Sequence, residues 1–303
     1  MPELPEVQTI VDDLNRKIKG DTIVGFWSDW KKSVKMPVEK FTQEIKDKRI
    51  LSASRIGKNI FINLSGGKTI YLHLKMTGHL LIKPQIQNSK SKTPNSKFQT
   101  GSKFKLKSQK EPDYFSEKVN QYIHHIFYLK SGRTLEFSDL RKFGKIILTD
   151  TDKVGEIKEI KELGVDAMSR DFTPKKLDEI LDRRKTKIKL LLMDQSKIAG
   201  IGNIYVSEIL FEAGILPRRS ADEISSGERK KLFHAIKKTL KKAIKLRGTS
   251  DSDYRDTSGA PGKFQEVLKV YRRAGKRCPR CGTIIQREKM GQRGTFFCPK
   301  CQK

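Results

Sequence analysis

The chain is short of apolar residues and of acidic ones. Hydrophobic residues make up 36% of its 303 positions, and 35 Asp and Glu stand against 64 Lys and Arg, for a formal net charge of +29. No apolar run approaches the ~20 residues that a membrane-spanning helix requires, and the N-terminus lacks the apolar segment of a secretory signal. We therefore expect a cytoplasmic protein that binds a polyanion. Nucleic acid is the commonest such partner, with ribosomal RNA and an anionic membrane surface as alternatives.

Cysteine is absent until the last part of the chain. All four cysteines lie between residues 278 and 301, whereas a fold stapled by disulfides would distribute them along a short chain. Their spacing is Cys278-x2-Cys281, sixteen residues, then Cys298-x2-Cys301, which is typical of a zinc ribbon or hairpin finger. Four thiolates would fill the tetrahedron of one Zn2+ and leave no open position, so we predict a structural ion. Free cysteines or a redox pair are the alternatives.

Basic residues lie between the two cysteine pairs. Arg287, Lys289 and Arg293 there, with Lys300 inside the second pair, are opposed only by Glu288. A hairpin that is made rigid by a metal and carries arginines suits contact with a phosphate backbone.

Hydrophobic periodicity divides the chain into a strand-rich half and a helical half. Residues 3–19 carry apolar side chains at helical spacing up to Gly20 and predict an N-terminal helix. Alternating stretches around 58–76 and 123–140, each turning at glycine, predict two β-hairpins. Residues 1–150 therefore predict a β-sandwich or barrel with a helix attached, and helical patterns dominate after that.

One stretch of the first half is too polar to join a core. Residues 85–120 are dominated by Ser, Lys, Gln and Asn. We predict a mobile insertion between strands, whose lysines could contact a nucleic-acid backbone.

Three short motifs hold residues suited to DNA contact, and each also has an ordinary structural explanation. GIGNIY places two glycines and Asn203 at the start of a predicted helix, where N–H groups and the helix dipole attract phosphate. SDLRKFG pairs Arg141 with Phe143 on a loop, a combination that can wedge into a base stack. YLHLKMTG puts His73 and Met76 near a strand end. The respective alternatives are a close turn between helices, a buried Phe with a surface Arg, and a structural histidine.

The N-terminal stretch MPELPEVQTI combines helix-start chemistry with a candidate nucleophile. Pro at the first helical position and acids in the first turn are ordinary at a helix start. If Met1 is removed, Pro2 becomes a secondary α-amine, and α-amines have pKa values near ~7.7–8.0, against ~10.4 for lysine. Such an amine can attack a sugar aldehyde carbon to give a charged iminium. Glu3 and Glu6 beside it could donate or relay protons.

Taken together and in order, these motifs resemble the formamidopyrimidine-DNA glycosylase family of bacterial 8-oxoguanine repair enzymes. The matching pieces are PELPEV after Met1, IGKNIF around Lys58, HLKMTG, DLRKFG, LLMDQ with GIGNIYVSEILFEAGI, PGKF, and the cysteine tail with GQRGTFFCPKCQ. They run across nearly the whole chain except the insertion. The resemblance implies an α+β multidomain fold: an N-terminal β-sandwich with its helix at 1–150, a helix–two-turns–helix domain at 151–247, a lesion-capping loop at 248–265, and a zinc-finger β-hairpin domain at 266–303.

The resemblance implies catalytic roles for five residues. Pro2 matches the nucleophile that attacks C1′ of the damaged nucleotide, and Glu3 matches the acid that assists sugar ring opening. Glu6 matches a carboxylate of the same hydrogen-bond network. Lys58 resembles the lysine that contacts the phosphate next to the lesion and is linked to proton transfer during elimination. Arg293 matches a phosphate-gripping residue that also acts in the second elimination step.

The resemblance implies DNA contacts for further residues. His73 and Asn203 match phosphate-gripping positions. Met76, Arg141 and Phe143 match the triad that fills the gap left by the flipped nucleotide, with Arg141 facing the orphaned cytosine.

Two further implied contacts lie in the helical half, where Lys189 and the basic run from Arg184 match positions that contact DNA or the lesion. The insertion stands where the family has a short histidine-containing link, and IHH at 123–125 aligns there only loosely, so His124 receives no role. The loop 248–263 matches the family only at its ends.

The activity implied is that of a bifunctional base-excision repair enzyme. Such an enzyme flips the damaged base out of the duplex, cleaves its N-glycosidic bond, and cuts the strand by β- and δ-elimination. The expected partner is double-stranded DNA containing oxidised bases or abasic sites, the expected cofactor is one structural Zn2+, and the expected state is a nucleoid-associated monomer. Two rivals stay open. An endonuclease VIII-like enzyme shares Pro2 and Glu3 but prefers oxidised pyrimidines, and a non-catalytic zinc-ribbon DNA-binding protein would need neither residue.

Overall fold

The computed structural model describes residues 1–84, 112–251 and 253–303, and its first half is a β-sandwich. One sheet has the strand order β1 (Ile23–Ser28), β6 (Ile123–Leu129), β7 (Thr134–Ser138), β5 (His79–Lys83). The other has the order β2 (Ile50–Ile56), β3 (Asn59–Leu64), β4 (Lys68–His73), β8 (Lys145–Asp150). Neighbouring strands are antiparallel in both sheets. The two predicted hairpins, β3–β4 and β6–β7, are confirmed.

The N-terminal helix α1 (Leu4–Lys17) packs into two cores at once. Val7, Ile10 and Leu14 lie in the core of the sandwich, together with Phe41 of helix α2 (Val38–Ile45). Leu4, in contrast, lies in the core of the C-terminal helices. Because the first residues of the chain precede a helix that both cores hold, their position depends on both halves of the molecule.

The second half is helical, as predicted. Its helices are α3 (Lys158–Lys161), α4 (Pro174–Leu181), α5 (Ile188–Met193), α6 (Asn203–Ala213) and α7 (Ser226–Lys245). Two short strands, β9 (Val165–Asp166) and β10 (Ile198–Ala199), pair in parallel beside them. The predicted cap of α4 is confirmed, since Thr173 Oγ1 accepts the Lys176 N–H at 3.1 Å. Within the three described ranges, no helix has both the length and the apolar composition to cross a bilayer.

The chain ends in an antiparallel hairpin that is docked on the helices. Its strands are β11 (Gln286–Met290) and β12 (Arg293–Phe297). At the tip, Gly291 approaches α5 so closely that a Cβ on it would lie 2.5 Å from Leu190 Cδ2. At the base, the Leu216 N–H donates to the Lys303 carbonyl at 3.0 Å. The sandwich, the helical domain and the C-terminal hairpin of the predicted α+β fold are therefore confirmed.

The prediction of a mobile insertion at residues 85–120 is wrong for the last residues of that range. Residues 85–111 lie outside the described ranges, but Tyr114–Ser116 and Lys118–Gln121 form 3-10 turns. Asn120 is fully buried, where its Nδ2 donates to the Gly259 carbonyl at 3.1 Å and its Oδ1 contacts His79 Nε2 at 2.9 Å. The prediction rested on the scarcity of apolar residues in this segment. Its C-terminal part is held in place by hydrogen bonds of Asn120 instead.

Candidate active site at the domain junction

The start of α6 holds the carboxylate of Glu3. Glu3 Oε1 accepts a hydrogen bond from the Ile204 N–H at 2.9 Å, and Oε2 accepts one from the Tyr205 N–H at 3.4 Å. Gly202 leaves room for this carboxylate, because a Cβ there would lie 2.3 Å from Glu3 Cδ. Burial raises the pKa of Glu3, against the lowering effect of Lys58 and of the two N–H groups. The motif GIGNIY left two uses open for this helix start, contact with a phosphate or a close turn, and the structure shows that the Ile204 and Tyr205 N–H groups donate to Glu3.

A second carboxylate, Glu6, closes the N-terminal turn. Its Oε2 accepts the Glu3 N–H at 2.7 Å, and its Oε1 accepts the Tyr205 hydroxyl at 2.5 Å and the Thr249 N–H at 2.7 Å. Gly248, at φ +81°, allows this approach, since a Cβ on it would lie 2.6 Å from Oε1. Burial and then the neighbouring charge of Glu3 raise the pKa of Glu6 to about 7. A carboxyl group in this pair can therefore hold a transferable proton near neutral pH.

Lys58 reaches the same junction from the turn between β2 and β3. Its side chain is 8% exposed, and its Nζ donates to the Ile201 carbonyl at 3.0 Å. Burial lowers the pKa of Lys58, whereas the charges of Glu3 and Glu6 raise it. A buried lysine with a lowered pKa is suited to accept a proton during a reaction.

The turn that carries Lys58 is fastened to the helical half by Asp166. The Asp166 carboxylate accepts the Gly57 N–H at 2.6 Å and Arg55 Nη1 at 2.5 Å. Sequence reasoning missed this contact, and also Tyr205 and Thr249 on Glu6. The partners lie far apart in the chain, and no local pattern marks them.

Pro2 is buried beside Glu3, and Met1 lies in an adjacent cleft. The cleft has a volume of about 610 Å³ and is also lined by Met76 and Phe143. While Met1 is attached, the Pro2 nitrogen is an amide, which is not nucleophilic. Removal of Met1 would leave a secondary amine next to Glu3.

The three predicted gap-filling residues lie on two neighbouring loops. Phe143 is 56% exposed and Arg141 is also exposed, while Met76 lines the cleft from the other loop. Asp139 joins the loops, because its Oδ2 accepts the Phe143 N–H at 2.8 Å and its Oδ1 accepts the Thr77 hydroxyl at 2.5 Å. Sequence reasoning missed Asp139, although Asp commonly accepts N–H groups that follow it in a turn.

The predicted phosphate-gripping residues differ in how available they are. His73 Nδ1 accepts the Lys75 N–H at 2.9 Å, and burial lowers the pKa of His73 to about 3. The ring is therefore neutral with its proton on Nε2, which can donate to a phosphate. Asn203 Nδ2 donates to the Gly294 carbonyl at 3.2 Å. Arg293 is exposed at the tip of the C-terminal hairpin.

Lys189, which the resemblance assigns to contact with DNA or the lesion, is buried. Its Nζ donates to Thr295 Oγ1 at 2.7 Å and to the Gly294 carbonyl at 3.4 Å, and burial lowers the pKa of Lys189 to about 8. The side chain thus joins α5 to β12. Spacing could not reveal this, because the covering strand is distant in sequence. Arg184 lies exposed in the turn between α4 and α5.

The four predicted cysteine ligands come together. Their Sγ atoms lie within 4.8 Å of one another, with Cys278 and Cys301 at 3.9 Å and Cys281 and Cys298 at 3.5 Å. A tetrahedral Zn2+ with Zn–S bonds of ~2.3 Å has S···S edges of about 3.8 Å. The four free thiols fit one structural Zn2+, which has no open position for substrate.

Buried proton-transfer groups thus lie where α1 meets α6, and a four-cysteine site that fits Zn2+ holds the C-terminal hairpin. Residues 1–146 match the family described as formamidopyrimidine-DNA glycosylase N-terminal domain. Residues 163–255 match its H2TH domain, and residues 275–303 match the zinc finger found in FPG and IleRS. The chain belongs to the formamidopyrimidine-DNA glycosylase family.

Relatives align over the whole chain. The formamidopyrimidine-DNA glycosylase of Pelotomaculum thermopropionicum is 40% identical, with 100% of this chain and 99% of that protein covered. The Carboxydothermus hydrogenoformans enzyme of the same name is 39% identical, with both chains covered completely. Among solved structures, Lactococcus lactis Fpg bound to abasic-site DNA has a TM-score of 0.82 at 31% identity and 99% coverage of each chain. MutM bound to DNA containing carbocyclic 8-oxo-G has a TM-score of 0.80 at 31% identity and 100% coverage of each. The protein is a DNA glycosylase of base-excision repair.

Proposed function

We propose that this glycosylase excises oxidised purines, namely 8-oxoguanine and formamidopyrimidines, and then cleaves the abasic site by β- and δ-elimination. The observation that carries the proposal is the pair of hydrogen bonds from α6 to Glu3, which hold Pro2 beside a carboxyl group with a raised pKa. Solved relatives are bound to DNA that contains Fapy-dG or carbocyclic 8-oxo-G, which supports the choice of these lesions.

We assign one side chain or amine of the site to each step of this reaction. After Met1 is removed, the Pro2 amine forms a bond to C1′ while the glycosidic bond breaks, the electron pair of that bond leaves with the base, and the amine proton is transferred to the departing base. Glu3 donates a proton to the ring oxygen, the C1′–O4′ bond opens, and a positively charged iminium results. Loss of a proton from C2′ then expels the 3′ phosphate oxygen, and we assign Lys58 as the group that accepts that proton. Arg293 assists the second elimination, which expels the 5′ phosphate.

Two regions outside the catalytic groups, the loop 248–265 and the exposed Arg184, are proposed to bind the substrate DNA. The loop 248–265 begins on Glu6 through the Thr249 N–H, and we assign it the role of covering the extrahelical base. We assign the exposed Arg184 to contact with the DNA backbone. We also propose that the protein acts at the nucleoid, because its DNA substrate is there.

Borohydride trapping on 8-oxoguanine DNA tests the proposal. The parent protein should form a covalent adduct after Met1 is removed, which intact mass reports. Pro2→Gly should lose most of that adduct, and Glu3→Gln should slow excision by about 100-fold, as expected for a lost general acid. Glu39→Gln, at an exposed site on α2, is the matched control and should behave as the parent.

Two results would contradict the proposal. A Pro2→Gly protein that excises and traps at the parental rate would exclude the amine mechanism. A strong preference for a thymine-glycol duplex over 8-oxoguanine paired with cytosine would favour the endonuclease VIII-like alternative.

A further inference from the structure

The cleft beside Pro2 carries an aromatic and basic surface that the proposed chemistry does not use. Trp30 and Phe143 contribute its aromatic rings. Five lysines line it: Lys32, Lys35, Lys75, Lys142 and Lys145. Within the part of the chain that the structure describes, no acidic side chain lines this cleft. Cations combined with open aromatic faces are the pattern of surfaces that bind unstacked nucleic acid.

Trp30 is held in one orientation by the two histidines of β6. Its ring stacks on His125 at 5.7 Å between centroids with 28° between the planes, and it meets His124 edge-on at 6.1 Å. Ser33 Oγ lies 2.8 Å from His125 Nε2, and Asp29 Oδ1 lies 2.8 Å from His124 Nδ1. Burial lowers the pKa of His125 to about 4, so the ring that stacks on Trp30 is neutral. An indole fixed in this way loses little conformational entropy when it binds a ligand.

The segment that carries the lysines is equally well anchored. Two of these lysines lie in and after a 3-10 turn, Lys31–Ser33, which is closed by the Ser33 hydroxyl donating to the Trp30 carbonyl at 2.9 Å. The Lys35 N–H donates to the Ile146 carbonyl of β8 at 3.1 Å. Lys32 and Lys35 therefore project from a fixed backbone at the mouth of the cleft.

We propose that Trp30, Lys32 and Lys35 form an additional DNA-contacting subsite, in which the indole packs on a base or deoxyribose next to Phe143 and the lysines contact phosphates. The assignment rests on the proposed entry of DNA into this cleft. It gives a role to a histidine pair that the catalytic groups leave unused, since His124 and His125 support the indole and do not touch the DNA.

Tryptophan fluorescence tests this subsite directly. The chain has two tryptophans, and Trp27 is 43% exposed on β1 outside the cleft. Trp27→Phe leaves Trp30 as the only reporter, and Trp30→Phe leaves Trp27. On titration with a duplex that contains a tetrahydrofuran abasic analogue, we expect quenching in the first variant and little change in the second. Equal quenching in both, or quenching of Trp27 alone, would overturn the proposal.

Affinity measurements supply a second, independent readout. Trp30→Ala should bind the same duplex about 10-fold more weakly, as expected for the loss of one stacking contact, and Trp27→Ala should bind like the parent. Lys32→Gln and Lys35→Gln should each reduce the slope of log affinity against log salt by about one unit. Lys31→Gln is the control, because Lys31 pairs with Glu39 and does not line the cleft. An unchanged slope in both lysine variants would refute the phosphate contacts.

The two proposals can fail separately. Borohydride trapping of Trp30→Ala at saturating protein should reach the parental rate, because Pro2 and Glu3 are unchanged. If the parent itself does not trap, the amine mechanism fails while quenching of Trp30 still reports on the subsite. If the parent traps and Trp30 shows no quenching, the subsite alone is refuted.

Discussion

Replacing Gly202 with alanine tests the contact that joins the two domains at the reaction centre. A Cβ at this position would lie 2.3 Å from Glu3 Cδ and within 2.7 Å of both carboxylate oxygens. The φ of Gly202 is −134°, which alanine adopts without strain. The effect of the substitution therefore comes from displacing the carboxylate and not from the backbone.

The size of the effect follows from the hydrogen bonds that would be lost. A hydrogen bond contributes about 0.5–1.5 kcal/mol net, or about 1.5–3 kcal/mol when one partner is charged, so losing the Ile204 donor at 2.9 Å and the weaker Tyr205 donor at 3.4 Å costs roughly 2–4 kcal/mol. Because ~1.4 kcal/mol corresponds to tenfold in rate, we expect excision to fall by about 100-fold. The affinity for duplex DNA should change by less than about tenfold, since the exposed residues that we assign to phosphates, such as Arg184 and Arg293, are unchanged.

A matched glycine provides the control for this variant. Gly227 lies in the first turn of α7, and a Cβ there would meet nothing within 4 Å. Gly227→Ala should raise the melting temperature slightly, because alanine is favoured over glycine in a helix by about 0.5–1 kcal/mol, and should leave excision unchanged. Thermal unfolding separates lost activity from lost folding. If folded Gly202→Ala excises 8-oxoguanine at the parental rate, the reasoning about Glu3 is refuted.

Three further changes test the pH dependence, the domain junction and the metal. The pKa of Glu6 rises from 4.5 to about 7 on folding, so its contribution to stability is complete below about pH 4.5 and is lost as the pH rises through 7. The melting temperature should fall across this range in the parent and less in Glu6→Gln, and equal slopes would contradict the assignment. Asp13 is 1% exposed and pairs with Arg247, which is 35% exposed, so Asp13→Asn should lower the free energy of unfolding in urea by about 2–3 kcal/mol, below the ~3–5 kcal/mol of a fully buried pair. Asp12→Asn, exposed in the same turn, should cost less than ~0.5 kcal/mol. Chelation or Cys298→Ser should release the zinc, one per chain, and abolish DNA binding while the circular dichroism of the sandwich persists; full binding without metal would refute a structural ion.

Sequence patterns correctly predicted the structural elements that are formed by residues close together in the chain. The glycine turns between alternating strands predicted the hairpins β3–β4 and β6–β7, because a strand and its neighbour are close in sequence. Thr173 before Pro174 predicted the start of α4, because a cap involves residues within one turn. The paired cysteines predicted the metal site, because each pair supplies two ligands from one short loop.

Contacts between distant segments could not be predicted in this way. The sequence placed Asn203 correctly at the start of α6, but it left the partner of the N–H groups there open, because nothing nearby identified Glu3 as their acceptor. The resemblance assigned Lys189 to DNA or the lesion, and only the fold reveals its hydrogen bond to Thr295 of β12. In both cases the residue types indicated a functional position, but the sequence did not reveal which distant residue each group bonds to.

The helical domain does not only provide a surface for DNA; it also positions the catalytic groups. It supplies the N–H donors for Glu3 through α6, and through Asp166 it fixes the turn that carries Lys58. It also contacts α1 through the ion pair between Arg247 and Asp13. Because α1 lies in both hydrophobic cores, any shift of one domain against the other moves Glu3 relative to its donors and Lys58 relative to Glu3. The reaction centre therefore exists only when the two domains are docked, so the sandwich expressed alone should retain its strands but lack a competent Glu3.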